Sequence, residues 1–379
     1  VKSSLYFHIP YCSRKCSYCD FTSFDQPEIS PDDYTYLLFA ELSLRSRLLE
    51  TTTVPTLYFG GGTPSLFTPL QISSLLEKVD KLFSLEADAE ITLEANPGTV
   101  TRESLEGYRA AGVNRLSLGV QSLDDRHLAL LGRIHSAAEA REAFTLARSA
   151  GFRNIGIDLM HSLPQQSLAS WQTTLREAAA LQPEHISVYG LSVEAGTPFA
   201  QKAARGELDL PDEELAVAMF ELTAEYLTSC GYQQYEISNY ALPGYRSRHN
   251  QVYWRRGNYL GFGAGAHSFL NSPGYGGRWE NPLTLKEYAA VINSGNLPEI
   301  GVALTRQEAM AEFMFLGLRL LEGIDSEEFA RQIGLDLEEA FPQVVARLCA
   351  QGLLAKEGTR LRLTAKGLLL ANLVMAEFV

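Results

Sequence analysis

Apolar, strand-like runs alternate with helical stretches six times in the first 200 or so residues, and this alternation constrains the fold more than any other feature. LYFHI at 5–9, TLYFG at 56–60, EITLEAN at 90–96, NRLSLGVQ at 114–121, FRNIGIDLMH and HISVYGLS at 185–192 read as strands. Between them, 31–50, 69–83, TRESLEGYRAAG, 136–150 and SLASWQTTLREAAA read as helices. Ser30 and Pro31 open the first helix as N-cap and first-turn residue. Thr101 followed by Ser104 stops short of a full capping box, and Glu103 adds charge to that first turn. Strands separated by single helices lie parallel. The pattern therefore predicts an α/β fold, a partial (βα)6 barrel of the TIM type, short of the eight units of a closed one. Cys12, the turn GGGTP, Glu94, Gln121 and Asp158 all fall at or just beyond strand ends. In a parallel barrel those points share the C-terminal face, where ligand chemistry belongs.

The rest of the chain is less regular. A helix is predicted over 212–229. The following segment, GYQQYEISNYALPGYRSRHNQVYWRRGNYLGFGAGAHSF, is too polar and glycine-rich for a simple helix and reads as irregular strands and loops. From about 303 the pattern turns helical, then AKEGTRLRLTAKG reads as a hairpin before one last helix. This describes a small C-terminal winged-helix-like domain, read as a packing lid rather than a DNA binder. With 379 residues the chain exceeds what one core usually serves. We divide it into a barrel core at 1–200, an extension at 201–300 and a C-terminal domain at 301–379.

A formal charge of −13 argues against a general nucleic-acid surface, which needs clustered Lys and Arg. No run of about 20 apolar residues is present to span a bilayer. LLLANLVMAEFV, broken by Asn372 and Glu377, reads as a terminal core helix.

Three of the five cysteines, Cys12, Cys16 and Cys19, stand in C-x3-C-x2-C spacing in YFHIPYCSRKCSYCDF. Three thiolates fit three corners of a [4Fe–4S] cube and leave one iron open to an exogenous ligand. Structural zinc normally takes four ligands; with His8 and Asp20 nearby, zinc is the competing reading, and coincidence is a third. Disulfides fit poorly, because the cysteines are odd in number, clustered and without a secretory segment. A low-potential cluster and free thiols favour a reducing cytosol, so a cytoplasmic location is predicted. Cys230 and Cys349 read as small buried hydrophobes.

YFHIPYCSRKCSYCD resembles the amino-terminal signature of radical S-adenosylmethionine (SAM) proteins. HIPYC, GGGTPS at 60–65, LEANP at 93–97, GVQS at 119–122 and IDLMHSLP at 157–164 narrow the resemblance to the oxygen-independent coproporphyrinogen III oxidase group, over nearly the whole chain. Within that group the chain is most similar to the haem chaperone branch. The oxidases carry a further cysteine two positions after the third cluster ligand, where this chain has Phe21. HNQVYW at 249–254 matches the branch's HNxxYW haem-binding signature.

The resemblance implies a [4Fe–4S] cluster on Cys12, Cys16 and Cys19, with SAM on the open iron. It implies SAM contacts from Tyr6, the turn Gly60, Gly61, Gly62 and Thr63, and from Glu94, Gln121, Arg133 and Asp158. Tyr6 and His8, two apart on a strand, should face the same way. Haem is expected at the segment containing His249, Asn250, Tyr253 and Trp254. His249 is the first candidate for axial ligand and His267 the alternative, and Arg246, Arg248, Arg255 and Arg256 are candidate propionate contacts. The implied function is binding haem and delivering it to respiratory haem proteins, including membrane-bound ones, without coproporphyrinogen oxidase activity; oxidative decarboxylation of coproporphyrinogen III is the alternative. His127 and His135 read as surface residues, His161 as a pocket-border residue and His185 as structural.

Overall fold

The computed structural model describes residues 2–47, 52–297 and 301–379. The predicted helix end at 48–50 and the last residues of the 201–300 part lie outside the described residues.

Six parallel strands form the centre: β1 (Ser4–Ile9), β2 (Thr53–Gly61), β3 (Ser84–Ala95), β4 (Arg115–Gln121), β5 (Ile155–His161) and β6 (His185–Gly190), paired in sequence order. Helices α1 (Pro31–Ser46), α2 (Pro69–Leu82), α3 (Arg102–Ala111), α4 (Asp125–Leu131), α5 (Ala137–Ser149) and α6 (Leu168–Ala180) return the chain between strands. Their starts are written locally. Ser30 accepts from Asp33 N ahead of α1, and Thr68 and Ser136 close capping boxes. Thr101 and Ser104 also form a reciprocal box, against expectation: the Ser104 hydroxyl replaces the usual Glu or Gln as acceptor for the Thr101 N–H.

The alternation inside each strand decides what the barrel encloses. Leu5, Phe7, Ile9, Leu57, Phe59, Ile91, Leu93, Leu116, Leu118, Ile155, Ile157, Leu159 and Ile186 belong to one buried core with the helices. The alternate positions carry Ser4, Tyr6 and His8; Thr56, Tyr58 and Gly60; Glu90, Thr92 and Glu94; Arg115, Ser117 and Gly119; Gly156 and Asp158; His185, Ser187 and Tyr189. A TIM barrel interior is filled by branched apolar residues. Here the outer face is apolar and the lumen polar, so the barrel is built to hold something.

Beyond β6 follow α7 (Pro198–Ala204), α8 (Glu213–Ser229), β7 (Gln233–Gln234), β8 (Asn239–Ala241), α9 (Arg248–Trp254), β9 (Tyr259–Phe262), β10 (His267–Leu270), β11 (Gly277–Glu280), α10 (Leu285–Ser294) and β12 (Val302–Ala303). The extension adds a parallel β9 beside β1, then antiparallel β10, β11 and β12; β8 and β7 cover the β6 edge. HNQVYW, read as part of a loop, is the short helix α9. A separate buried cluster, including Phe313, Met314, Phe329, Leu348, Leu361 and Val374, lies within 309–378. That region packs helices around a three-stranded antiparallel sheet of Ile324–Asp325, Arg360–Leu363 and Leu354–Glu357, a winged-helix-like arrangement. No helix among the described residues is long and apolar enough to cross a membrane.

Candidate functional site

The barrel mouth opens into a cavity of about 460 Å³ lined by Cys12, Cys16 and Cys19, by Gly61, Gly62 and Thr63, and by Glu94, Gln121, Arg133 and Asp158. Residues scattered over about 150 positions thus meet: Gly61, Glu94, Gln121 and Asp158 lie on parallel strands, the cysteine loop follows β1, and Arg133 follows α4. The cysteine loop is pinned by Cys12 N donating to Phe24 O (3.0 Å) and Ser17 N to Leu131 O (3.0 Å). Arg133 Nη1 lies 3.5 Å from Cys16 Sγ while its Nη2 donates to Gly119 O (2.7 Å). Thr63 Oγ1 lies 3.6 Å from Cys12 Sγ. Gly62 allows this proximity: a Cβ there would stand 2.7 Å from Tyr11 O and 3.1 Å from Cys12 Sγ. Burial pushes the Cys19 thiol up. Gly61 has φ +115°, strained for any other residue.

Glu94 is an acid of this cavity shifted by its surroundings. Tyr58 donates to Oε1 (2.7 Å) and Gly61 N to Oε2 (3.2 Å). Burial nevertheless pushes its carboxyl up to about 7, with Asp158 adding to the rise. Burial also raises Asp158, against the opposing pull of Ser187, Arg115 and Ser117. Deeper in the lumen, Arg115 is buried with Nε and Nη1 lacking partners among the described residues. Arg115, Ser117, Ser187, Tyr189 and Asn250 line the same cavity. Of these only Asn250 was singled out in the sequence; the alternation of polar residues along the strands was the signal for the others.

A second chamber of about 410 Å³ adjoins the first, sharing Asp20, Phe21, Gly61 and Glu94. Tyr6, His8, Thr22, Tyr253, Tyr259, Gly265 and His267 complete its lining. Tyr6 and His8 do face the same way, with Tyr6 Oη 3.1 Å from His8 Nδ1. Tyr6 belongs to this chamber rather than to the cysteine cavity. Gly60 lines neither; a Cβ there would meet the Tyr58 and Tyr6 rings at 2.9 Å, so it makes room for them.

His249 lies inside the protein and lines neither chamber. It is fully buried, with Nδ1 2.7 Å from Thr56 Oγ1 and Nε2 2.8 Å from Tyr253 Oη, so both ring nitrogens are engaged. Its own N–H and that of Arg248 donate to the Glu90 carboxylate (2.9 and 3.0 Å), which sits at the amino end of α9. Burial, reinforced by Arg115, pushes its imidazole down to about 3. In this structure α9 packs over the lumen and the His249 ring is part of that packing. Trp254 also lines neither chamber; Arg319 stacks 4.4 Å from its ring centroid. Asn250 and Tyr253 do reach the cavities.

Three of the four arginines around this helix are committed to acids. Arg248 pairs with Glu86 and Asp88, Arg255 with Glu322 and Arg256 with Glu312, whose other oxygen meets Arg278. Arg246 stands over the Tyr235 ring. These three pairs join α9 and the residues just after it to their surroundings, Arg255 and Arg256 reaching into the C-terminal region. His127 and His135 are buried, not exposed. His135 bridges Asn96 Oδ1 (3.0 Å) and Val120 O (3.1 Å), which local charge pattern could not indicate. His161 is absent from the chamber linings and packs against Trp171; His185 bonds Tyr235 Oη (2.8 Å). Cys230 is exposed and Cys349 partly buried, so only the latter approaches the expected setting. No three His, Cys, Asp or Glu side chains among the described residues are close enough to hold a single metal ion.

Comparison with known proteins decides the family. The radical SAM superfamily model matches residues 6–178, and the HemN C-terminal domain model matches 304–370. The heme chaperone HemW of Escherichia coli (strain K12) is 40% identical over 377 residues, covering 99% of this chain and 98% of that protein. The chain belongs to the HemW haem-chaperone family. The HemW of Haemophilus influenzae is 38% identical, covering 99% of this chain and 97% of its own. Radical S-adenosyl methionine domain-containing protein 1, mitochondrial, of Bos taurus is 38% identical and covers 97% of this chain and 85% of its own. Among solved structures, the coproporphyrinogen III oxidase HemN of Escherichia coli, described as a radical SAM enzyme, superposes with a TM-score of 0.83. It is 28% identical and covers 99% of this chain and 89% of its own.

Proposed function

We propose that this protein is a cytoplasmic haem chaperone that carries a [4Fe–4S] cluster and SAM, and that it passes haem to respiratory haem proteins. The donor set of the mouth fits a cluster: three thiols share one cavity, cations and hydroxyls stand beside their sulfurs, and Gly62 clears the approach to Cys12. A single zinc would need its ligands gathered around one centre, which the described side chains do not provide. Cys12, Cys16 and Cys19 would hold three irons. When bound and reduced by an external electron donor, a cluster with SAM on its open iron would supply the electron for reductive cleavage of the sulfonium bond. The chain's own residues orient and shield: Gly61 and Gly62 allow backbone approach, Glu94 and Asp158 accept hydrogen bonds from hydroxyl or ammonium groups, and Gln121 both donates and accepts. Arg133 keeps positive charge beside Cys16. We assign 1–200 to the cluster and SAM, 201–300 to closing the lumen and shaping the second chamber, and 301–379 to covering it.

The observation that carries the cargo reading is the second chamber. It is aromatic, adjoins the SAM cavity and ends at Phe21, which is 63% exposed and stands where the oxidases have a cysteine. An apolar platform suits a macrocycle held for release. The superposition on HemN supports the oxidase alternative, so the test must separate cargo from substrate. Anaerobically reconstituted protein is titrated with haem, and separately given coproporphyrinogen III, SAM and reductant. Haem binding near one equivalent without protoporphyrinogen formation is expected. Sustained SAM-dependent turnover of coproporphyrinogen would overturn the reading.

A further inference from the structure

Resting on the haem and SAM reading above, we propose that Arg115 forms the floor of a carboxylate-binding subsite inside the barrel lumen, and that a carboxylate of the bound ligand is its counter-charge. Arg115 is the first residue of β4 and is 1% exposed. Its side chain nevertheless lines the cavity that opens at the cysteines. Nε and Nη1 are buried and have no hydrogen-bond partner among the described residues. A guanidinium stays charged at any ordinary pH, so burial does not neutralise it. Leaving such a charge without an acceptor is costly.

The acids on the neighbouring strands are engaged by other donors. On β3, Glu90 accepts from the N–H groups of Arg248 and His249 (3.0 and 2.9 Å), and Glu94 from Tyr58 and Gly61 (2.7 and 3.2 Å). On β5, Asp158 accepts from Ser117 (3.3 Å). Space beside the guanidinium is kept by a glycine. Gly156 on β5 has no side chain, and a Cβ there would stand 3.4 Å from both Arg115 Nη2 and His185 Nδ1. His185 Nδ1 is itself buried without a partner among the described residues, so a second orphaned nitrogen stands at the same glycine. Ser117, Ser187, Tyr189 and Asn250 line the cavity with Arg115 and add hydroxyl and amide groups. The fork of a guanidinium matches a carboxylate, two parallel N–H donors meeting two oxygens. Two carboxylates suit this subsite: a haem propionate and the amino-acid end of SAM. The placement of α9 favours the propionate. Asn250 lines the cysteine cavity, and Tyr253, three residues later on the same helix, lines the second chamber. A macrocycle held against α9 meets both chambers and can extend a propionate into the one that contains Arg115.

The test measures the binding of four probes to cluster-reconstituted wild type, Arg115→Gln and Arg115→Lys. The probes are iron protoporphyrin IX and its dimethyl ester, and SAM and decarboxylated SAM; the second of each pair lacks the free carboxylate. Arg115→Gln is expected to weaken the carboxylate-bearing member of one pair by about tenfold or more, and its partner by about twofold or less. Selective loss in the porphyrin pair assigns the propionate. Selective loss in the SAM pair assigns the amino-acid end, and the subsite stands in either case. Arg115→Lys keeps the charge without the fork and should lose about threefold or more on the same probe. Iron and sulfide content and circular dichroism establish that each variant is folded; if Arg115→Gln is not, Arg115→Lys decides. Both members of each pair weakened alike, or none weakened, would overturn the subsite, since Arg115 then serves packing alone. Failure of wild type to bind either porphyrin would overturn the haem reading and the propionate assignment, while the SAM pair still decides the subsite.

Discussion

Replacing Glu94 with Gln should stabilise the metal-free chain at pH 8 and have little effect at pH 5. The folded state holds the Glu94 proton up to about pH 7, whereas the ordinary value is 4.5. Between these values the folded chain binds more protons than the unfolded one, so wild-type stability falls as pH rises through that window. Below it both states are protonated and nothing is lost. The shift corresponds to about 3 kcal/mol once the carboxylate is fully ionised, and partial access through the cavity reduces this to about 2 kcal/mol. Gln keeps the shape, can accept from Gly61 N through its oxygen while its NH2 donates to the Tyr58 hydroxyl, and carries no charge to desolvate. The assay is urea unfolding followed by circular dichroism at pH 5, 6, 7 and 8 under reducing conditions. The difference between variant and wild type should widen from pH 5 to about pH 7 and level off by pH 8. A difference flat across the range, or one that grows toward acid, would refute the reasoning. The same desolvated carboxylate is what a hydroxyl- or ammonium-bearing ligand would neutralise, so SAM affinity should move the opposite way, rising with pH in wild type and staying flat in the variant.

Cys12→Ser, Cys16→Ser and Cys19→Ser should each abolish stable iron and sulfide incorporation, while Cys230→Ser and Cys349→Ser leave it intact; quantification after anaerobic reconstitution checks this. Gly62→Ala should depress cluster content without a comparable loss of helicity, because its Cβ intrudes on Tyr11 O and Cys12 Sγ. Glu41→Ala should cost about 3–5 kcal/mol in chemical denaturation, since it strands buried Arg45 and three further donors, whereas Glu41→Gln should cost less. Thr56→Val should destabilise by about 1–3 kcal/mol by leaving His249 Nδ1 without its partner; an unchanged denaturation midpoint would show that the His249 closure contributes little.

Much of the barrel and its mouth was legible in sequence because both rest on local periodicity. A strand's side chains alternate with period two, so RLSLGVQ and EITLEA declare an apolar face for the helices and a polar face for the lumen. Parallel strands then bring Cys12, Gly61, Glu94, Gln121, Arg133 and Asp158 to one end without any further information. The helix starts were equally local, down to Ser30 ahead of Pro31. Tertiary structure alone decided which polar groups are already taken. His249 looked free beside Tyr253 and Trp254, but its Nδ1 partner, Thr56, lies 193 residues away. Arg256 looked available to a propionate, but Glu312 meets it from the C-terminal region. His135 looked exposed among charged neighbours, but Asn96 and Val120 enclose it. The physical reason is the same in each case. Backbone conformation follows from near neighbours, whereas a polar side chain's availability depends on every group that burial brings within about 3 Å of it.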